Sequence, residues 1–348
     1  MSTQDGQMRS QIRPGVTVEA DTRHCQRHLD QLGDTPAWHQ GTAARWTSRS
    51  CAVDGGERMS GGFILTSELV LSYLKRLGIR AVQPPTLEFL RELHRAHVSD
   101  IPWQTIDVFS GRPRPIDMET SVRMIVENRS GYCFHLNGAF ASLLRSLGYT
   151  VSLHRAGVQS YGGIPVIDSF HLGLTVQIHN EFQEEQWIVD VGLGDMPYEP
   201  LPLISGYYKQ GPFVYTVADS QVNPAGWRVE HDPNGSFVGM DVDPGTVVGM
   251  AEFETNHLHL SRSSDSPWVK LLILKNRCAA ETHELKGCIF TVRDKHGVHR
   301  SEVDDQAAWL EILADVFGER LPDYSLSQRN ALWEKVIRSH EEWKQSSL

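Results

Sequence analysis

Cysteine is scarce in this chain of 348 residues, and the cysteines present are not arranged in pairs. A disulfide framework is typical of small secreted proteins and needs an even number of cysteines at regular spacings. The five cysteines are odd in number and unevenly spaced: Cys25, Cys51, Cys133, Cys278 and Cys288. We therefore predict a reduced protein of the cytoplasm. The sequence also lacks four ligands at the spacing of a zinc site, so no metal is expected.

Excess positive charge, long apolar runs and an apolar leader are missing as well. The net charge of −10 and the absence of a basic stripe argue against nucleic-acid binding, which needs clustered Lys and Arg. No apolar run approaches the roughly 18 residues of a membrane span. The start, "MSTQDGQMRSQIRPG", has no apolar h-region, so no secretory signal and no membrane association are predicted.

The chain divides into segments that differ in hydrophobic period. Residues 1–60 show no apolar period, which predicts a poorly ordered extension, with a small helical cap as the alternative. Three amphipathic helices follow, in "TSELVLSYLKRLG", "PPTLEFLRELHRAHV" and "CFHLNGAFASLLRSLGY". Alternating stretches such as "HLGLTVQI" after Thr150 predict an antiparallel sheet or small barrel. Roughly the last 45 residues return to a helical period.

Cys133 stands directly before the third helix, in "NRSGYCFHLNG". Unpaired backbone N–H groups and the positive end of the helix dipole favour a thiolate at such a position. Gly131 gives the preceding turn the backbone freedom to aim the thiol. Cysteine is also among the most often buried residues. This stretch alone therefore leaves two interpretations open, a nucleophile or a packed core thiol.

A nucleophilic cysteine needs a base, and the base needs a group that orients it. His171 opens the strand "HLGLTVQI", and Asp190 lies in the returning strand "WIVDVG". A two-residue turn at Asn180 and Glu181 would pair His179 with Phe182 and place His171 directly opposite Asp190. A longer turn would shift the register, and a strand-end histidine with an unrelated carboxylate remains the alternative.

The segment "RSGYCFHLNGAFASLLRSLGY" resembles the active-site segment of the arylamine N-acetyltransferase family, whose signature is R-G-G-x-C-x-E-x-N. The likeness extends from Leu65 to Trp343, through "PTLEFLRELHRAHVSDIPWQTIDVFSGRP", "FHLGLTV" and "WIVDVGLGD" in the family's order. It implies that Cys133 is the nucleophile, His171 the base and Asp190 the residue that orients the base.

The resemblance also implies an α+β fold with a core like that of cysteine proteases and transglutaminases. A helical bundle at 61–149 would carry the cysteine, and an antiparallel β-barrel at 150–260 would carry the histidine and the aspartate. An α/β lid with the C-terminal helices would occupy 261–348. The hydrophobic periods agree with helices, then strands, then helices, and do not by themselves indicate a barrel or a lid.

The sequence departs from the family pattern beside the cysteine. The first signature glycine is Ser130, and the acidic residue two places after the cysteine is His135, whereas Asn137 is retained. The family's "PFEN" box is Pro102-Trp103-Gln104-Thr105, so a glutamate that would pair with Arg129 is Gln104. We expect Arg129, Gln104, His135 and Asn137 to support the triad, and these changes to affect substrate range more than catalysis.

Two further pairs of residues are candidates for substrate contact. Phe134 and Trp103 are predicted to line an apolar pocket that keeps water from an acyl-enzyme, with ordinary core packing as the alternative. Gly192 and Gly194, in "DVGLGD", are predicted to let a coenzyme pyrophosphate approach the backbone, with a tight turn as the alternative.

Four functions are compatible with these features. The favoured one is transfer of an acetyl or other acyl group from a CoA thioester to an arylamine or related amine, through an acyl-cysteine. The others are an amide synthase that takes a polyketide-type thioester from an acyl-carrier protein, a cysteine hydrolase, and a non-catalytic binding protein. We expect acetyl-CoA as a co-substrate, no tightly bound cofactor, and a monomer or homodimer.

Overall fold

The computed structural model describes residues 63–179, 184–195 and 197–346. The predicted extension at 1–60 lies outside the described residues. Within the described part of the chain, no helix is long and apolar enough to cross a membrane.

The described chain begins with helices, as the periodicity predicts. Their bounds are α1 Ser67–Arg76, α2 Leu87–Asp100, α3 Ile106–Phe109, α4 Met118–Val126 and α5 Cys133–Ser146. The hydroxyl of Thr86 accepts a hydrogen bond from the Phe89 N–H at 3.2 Å, so Thr86 is the N-cap of α2. Gly148 has a φ of +95°, and the third predicted helix ends there. The apolar face of α5 is fully buried at the centre of the helical core.

Eight strands then form one antiparallel sheet that curves into a nearly closed barrel, in the order β5-β4-β3-β2-β9-β8-β7-β6. Their bounds are β2 Thr150–Gln159, β3 His171–His179, β4 Glu184–Val189, β5 Leu201–Pro202, β6 Gly206–Gln210, β7 Phe213–Asp219, β8 Trp227–Glu230 and β9 Gly239–Val247. Apolar side chains such as Tyr215, Val229 and Val242 pack inside this sheet. The α+β class and the antiparallel barrel are confirmed.

The predicted register of the β3–β4 hairpin is wrong. His179 pairs with Glu184, not with Phe182, so the connection contains four residues and not two. Continuing that ladder would set His171 opposite Gly192, with Asp190 diagonal to it on the same face of the sheet. Diagonal side chains on one face lie about 7–8 Å apart at the backbone, which long side chains can span. The connecting residues 180–183 lie outside the described residues.

The C-terminal region is α/β. A 3₁₀ turn at Met250–Phe253 leads into α6 Glu254–Arg262 and α7 Pro267–Lys270, followed by β10 Ile273–Arg277, β11 Thr282–Lys286, β12 Ile289–Asp294 and β13 Gly297–Glu302. The chain continues with α8 Gln306–Glu311, a π-helical turn at Ile312–Val316, and α9 Leu326–Ser346. Trp309, Leu313 and Val336 are buried in the core of this region, in the part of the chain predicted to be helical.

One strand from the helical region belongs to the C-terminal sheet. β1 Trp103–Gln104 pairs with β10, so Gln104 lies opposite Leu274 in a sheet ordered β1-β10-β11-β12-β13. The backbone N–H of Gln104 also donates to the Gly131 carbonyl at 2.8 Å. This strand therefore ties the turn before Cys133 to the C-terminal sheet. The boundaries at 61–149, 150–260 and 261–348 remain predictions.

Candidate active site

Cys133 is the first residue of α5, and its free thiol is 3% exposed. No side chain caps this helix, whereas Thr66, Thr86 and Asp117 cap α1, α2 and α4. The first N–H groups of a helix have no partner within the helix, so an uncapped N-terminus is a favourable place for negative charge. The Cys133 thiol donates to the Phe170 carbonyl across 3.7 Å. The structure therefore places this cysteine where the sequence predicts it.

His171 and Asp190 meet despite the different register. The Nε2–H of His171 donates to Asp190 Oδ2 at 2.6 Å, and both side chains are almost fully buried. Because Nε2 is used in this bond, Nδ1 is the ring nitrogen left for Cys133. Burial disfavours the imidazolium, but the Asp190 carboxylate and Cys133 together outweigh it and raise the pKa of His171 to about 10. His171 and Asp190 are thus bonded directly, and Cys133 is close enough to act on the same imidazole.

Asn137 holds the second oxygen of the Asp190 carboxylate. Its amide Nδ2 donates to Asp190 Oδ1 at 3.0 Å and to the Leu172 carbonyl at 2.6 Å, and its Oδ1 accepts from the Val191 N–H at 2.9 Å. The Gly192 N–H also donates to Asp190 Oδ1 at 2.8 Å. Asn137 is one turn after Cys133 on α5, so a single helix carries both the cysteine and the amide that contacts Asp190.

His94 on α2, which was not among the residues predicted for the site, contacts the backbone of Asp190. Its Nε2 accepts from the Asp190 backbone N–H at 3.3 Å, and its Nδ1–H donates to the Tyr198 carbonyl at 3.1 Å. Burial lowers the pKa of His94 to about 4, so it is neutral at physiological pH and can accept at Nε2. The available signal was its place one turn after Leu90, on the buried stripe of the helix.

Gly192 and Gly194 are in close contact with the protein itself. A Cβ at Gly192 would lie 2.8 Å from Cys133 Cα and 2.8 Å from the Asn137 amide nitrogen. Gly194 has a φ of +84°, and a Cβ there would lie 2.7 Å from Lys275 Cβ. The backbone at Gly192 comes close to α5, and the backbone at Gly194 comes close to β10. These contacts within the protein explain why both positions are glycine. Coenzyme contact at these two residues remains a prediction.

His135 occupies a buried position behind the nucleophile. Its Nε2–H donates to the Arg114 carbonyl at 3.3 Å, and burial lowers its pKa to about 4, so it is neutral. A Cβ on Gly131 would lie 2.6 Å from His135 Nδ1, which explains the glycine two places before the cysteine. The ring also packs at its edge against Tyr132, whose hydroxyl hydrogen-bonds to His257 on α6.

The turn before Cys133 is held from two sides. The Gln104 side-chain Nε2–H donates to the Ser130 carbonyl at 2.8 Å, and its Oε1 accepts from the Ile106 N–H. The guanidinium of Arg129 pairs with Asp323, a residue of the C-terminal region that the sequence analysis did not identify. Gln104 therefore acts on the turn by neutral hydrogen bonds, and the carboxylate for Arg129 comes from elsewhere.

Phe134 and Trp103 are packed inside the protein. Phe134 is fully buried against Phe253, with ring centroids 5.2 Å apart. Trp103 meets the Trp268 ring edge-on at 5.4 Å, and Lys275 Nζ lies 5.8 Å from its ring centroid. Substrate contact by these two residues remains a prediction, and for Phe134 it would require the ring to move. Among the described residues, no group of three or more His, Cys, Asp or Glu is placed to hold a metal.

Comparison with known proteins identifies the family. The family profile described as N-acetyltransferase matches residues 86–325, more than half of the chain. The arylamine N-acetyltransferase / N-hydroxyarylamine O-acetyltransferase of Salmonella typhimurium is 37% identical over 127 residues, 35% of this chain and 43% of that protein. The arylamine N-acetyltransferase of Escherichia coli is 31% identical over 144 residues, 40% of this chain and 49% of that protein. The matched part thus spans less than half the length of these two relatives.

Solved structures share the fold. The arylamine N-acetyltransferase of Mycobacterium marinum in complex with CoA superimposes with a TM-score of 0.69 and 24% identity, over 78% of this chain and 99% of that one. The enzyme from Mycobacterium abscessus gives a TM-score of 0.68 at 22% identity, over 77% of this chain and 94% of that one. This chain belongs to the arylamine N-acetyltransferase family.

Proposed function

We propose that this protein transfers an acetyl group from acetyl-CoA to an arylamine or related amine through an acyl-Cys133 intermediate. The observation that carries the proposal is the connected chain from Cys133 through His171 to Asp190, closed by a 2.6 Å hydrogen bond. The proposal treats acetyl-CoA as a co-substrate and places the protein in the cytoplasm, which the odd cysteine count favours.

Acylation requires that the proton of the Cys133 thiol pass to His171, which gives a thiolate and an imidazolium. The Cys133 thiolate attacks the thioester carbonyl carbon, and the tetrahedral intermediate collapses by breaking the bond to the CoA sulfur. The His171 imidazolium gives its proton to the departing sulfur, so free CoA leaves and acetyl-Cys133 remains. Asp190 keeps the imidazole oriented and stabilises its charge before the transfer.

Deacylation uses the same histidine as a base. The acceptor amine attacks the acetyl carbon, its proton passes to His171, and the bond to Cys133 breaks to restore the ion pair. Cys133 contributes to the raised pKa of His171 in the free enzyme. Acetylation removes the thiolate, so the pKa of His171 falls and the imidazole becomes neutral and ready to accept a proton.

The uncapped start of α5 supplies a candidate oxyanion site. Both tetrahedral intermediates place negative charge on an oxygen next to Cys133, and backbone N–H groups that need no reorganisation stabilise such charge well. α5 has no side-chain cap to occupy its first N–H groups. The lack of a cap costs helix stability, and we infer that it is retained because it leaves these donors available.

The relatives support the choice of substrates. One structural neighbour is an arylamine N-acetyltransferase in complex with CoA, and the Salmonella relative is named for arylamines and N-hydroxyarylamines. The principal alternative is an amide synthase that takes its acyl group from a carrier protein. It would use the same triad with a different donor, so the donor decides between them.

Intact-mass spectrometry after incubation with acetyl-CoA tests the proposal. We expect one added acetyl group, located on Cys133 by peptide mapping and absent from Cys133→Ala. The acetyl-enzyme should persist in buffer and return to the original mass when an arylamine is added. Acetylation that decays equally fast without the amine would indicate a hydrolase. An enzyme that acetyl-CoA leaves unmodified, but a carrier-bound thioester acylates, would be an amide synthase.

A further inference from the structure

We propose that Asp323, in the C-terminal region, is a positioning residue for Cys133: it holds Arg129 and thereby fixes the turn that aims the thiol. The inference rests on the proposed function for its effect on acetyl transfer, but not for its effect on the thiol itself. The turn, residues 128–132, is here called the nucleophile turn. The C-terminal segment 319–324 is called the C-terminal strap.

The nucleophile turn has an irregular backbone that leads directly into Cys133. Asn128 has a φ of +59°, an uncommon conformation for a residue other than glycine, and the Arg129 N–H donates back to the Met124 carbonyl at 2.9 Å. Residues 129–132 contain no helix or strand, and they lead directly to Cys133, four residues after Arg129. A displacement of the Arg129 backbone would therefore displace Cys133, because only three residues separate the two.

Arg129 and Asp323 form the contact between the turn and the strap. An Arg129 Nη2 atom pairs with Asp323 Oδ2, and the two side chains are 23% and 34% exposed. The second acidic neighbour, Glu127, is farther away at 3.9 Å and 60% exposed. Charge-assisted bonds of guanidinium to carboxylate are short and directional, so this pair fixes position as well as charge.

Other contacts anchor the strap against the same region. The Tyr324 hydroxyl hydrogen-bonds to Ser110 at 2.8 Å and donates to Asp107 across 3.4 Å. Arg114 bridges the two carboxylates, lying 3.5 Å from Asp107 and 3.7 Å from Asp323. The carboxylate of Asp323 is consequently presented by a fixed segment, which a positioning role requires.

Gln104, near Arg129, is uncharged, so the carboxylate that pairs with Arg129 comes from a distant part of the sequence. Gln104 lines the same small cavity as Arg129, Ser130 and Asp323. Its amide is occupied with the Ser130 carbonyl and the Ile106 N–H, and it has no charge to offer Arg129. Within the described residues, Asp323 is the acidic side chain in closest contact with that guanidinium.

The test measures thiol reactivity and acetyl transfer separately. We expect Asp323→Asn to slow alkylation of Cys133 by iodoacetamide about tenfold and to lower kcat for acetyl transfer by a similar factor, since small displacements of reacting groups cost this much or more. The KM for acetyl-CoA should change by less than about twofold, because a positioning role alters the aim of the thiol and not a group that binds the donor. Asp323→Glu, which keeps the charge, should restore both rates to within about twofold of the wild type.

A double-mutant cycle with Arg129→Gln asks whether Asp323 acts through the guanidinium of Arg129. In that background the ion pair is already absent, so Asp323→Asn should now cost less than about twofold, relative to Arg129→Gln alone. Asp315→Asn is the matched control. Asp315 pairs with Arg320 of the strap at 3.9 Å, with both side chains mostly exposed and no ion pair to the described nucleophile turn, so Asp315→Asn should leave both rates unchanged.

Two results would overturn the inference. One is an Asp323→Asn variant whose Cys133 is alkylated at the wild-type rate. The other is an equal cost of Asp323→Asn in both backgrounds, which would indicate a structural role without coupling to Arg129. If the wild type transfers no acetyl group but the alkylation rates follow the expected pattern, the proposed function fails and the positioning role of Asp323 stands.

Discussion

His94 accepts a hydrogen bond at Nε2 from the backbone N–H of Asp190 at 3.3 Å, although the two residues are 96 positions apart. Asp190, which accepts the hydrogen bond of His171, is thus held at its backbone by a buried neutral imidazole on α2 and at its carboxylate by Asn137 on α5. We expect His94→Leu to leave the Asp190 N–H and the Tyr198 carbonyl without partners. The cost should be about 1–3 kcal/mol of stability for each group and about a tenfold fall in kcat.

His97→Leu is the matched control for this prediction. His97 lies one turn further along α2, is equally buried, and hydrogen-bonds to the Tyr73 hydroxyl at 3.0 Å without touching Asp190. Urea denaturation should show both variants destabilised, whereas steady-state kinetics should show a loss of kcat for His94→Leu alone. Equal losses of kcat in the two variants would mean that only general stability is involved.

Asn137 is expected to matter for turnover because it joins α5, the helix that carries Cys133, to the carboxylate of Asp190. Asn137→Ala removes the side-chain partners of the Leu172 carbonyl and the Val191 N–H, and it removes one of the two hydrogen bonds to Asp190 Oδ1. We expect kcat to fall about 10- to 100-fold, with a smaller change in KM for acetyl-CoA.

Ser142→Ala provides the comparison for Asn137→Ala. Ser142 is equally buried on the same helix and donates only to the Gly138 carbonyl at 3.1 Å. Its replacement should change kcat by less than about twofold. If Asn137→Ala behaved like Ser142→Ala, the carboxylate would not depend on the amide for its orientation.

Substitution of Gly192 tests whether this glycine is needed for packing against α5 or for binding of the coenzyme. Because a Cβ at this position would overlap Cys133 Cα and the Asn137 amide, Gly192→Ala should displace the nucleophile helix. We expect slower alkylation of Cys133 by iodoacetamide in the absence of any acyl donor. A variant with normal alkylation and only a raised KM for acetyl-CoA would favour the coenzyme interpretation. Gly249→Ala is the control, since a Cβ there meets nothing within 4 Å.

The pair of His171 and Asp190 should make the free energy of unfolding fall as the pH is raised. The pKa of His171 is raised from 6.5 to about 10 in the folded protein. The resulting stabilisation is fully present below about pH 6.5 and is lost as the pH rises through about 10. The difference in unfolding free energy between wild type and Asp190→Asn, measured by urea denaturation, should therefore shrink as the pH is raised. A difference that grows with pH would contradict this sign.

Local signals in the sequence predicted the nucleophile and the elements that carry it. The position of Cys133 before an amphipathic helix and the alternation after Thr150 are properties of short segments, so they survive without knowledge of the fold. The resemblance to the arylamine N-acetyltransferases added the barrel and the trio. The alignment of His171 with Asp190 was predicted for the wrong reason, because the loop length of the hairpin sets its register and four residues separate the strands.

Contacts between distant segments could not be predicted in the same way. Asp323 reaches Arg129 across 194 positions of sequence, and no local pattern marks it. Gly192 gave a signal for close backbone approach but not for the partner, which is Cys133 itself. His94 was visible as a polar residue on an apolar stripe, yet a buried histidine has many possible partners until the fold supplies one.

The protonation state of His171 tests the central claim most directly. NMR titration of protein labelled with ¹⁵N-histidine, with the resonance assigned through His171→Gln, follows this imidazole alone. We predict an imidazolium that persists through neutral pH and loses its proton near pH 10, and a lower transition in Cys133→Ala, where one stabilising partner is missing. A wild-type His171 that titrates near 6.5, unaffected by Cys133→Ala, would contradict the ion pair on which the proposed acyl transfer depends.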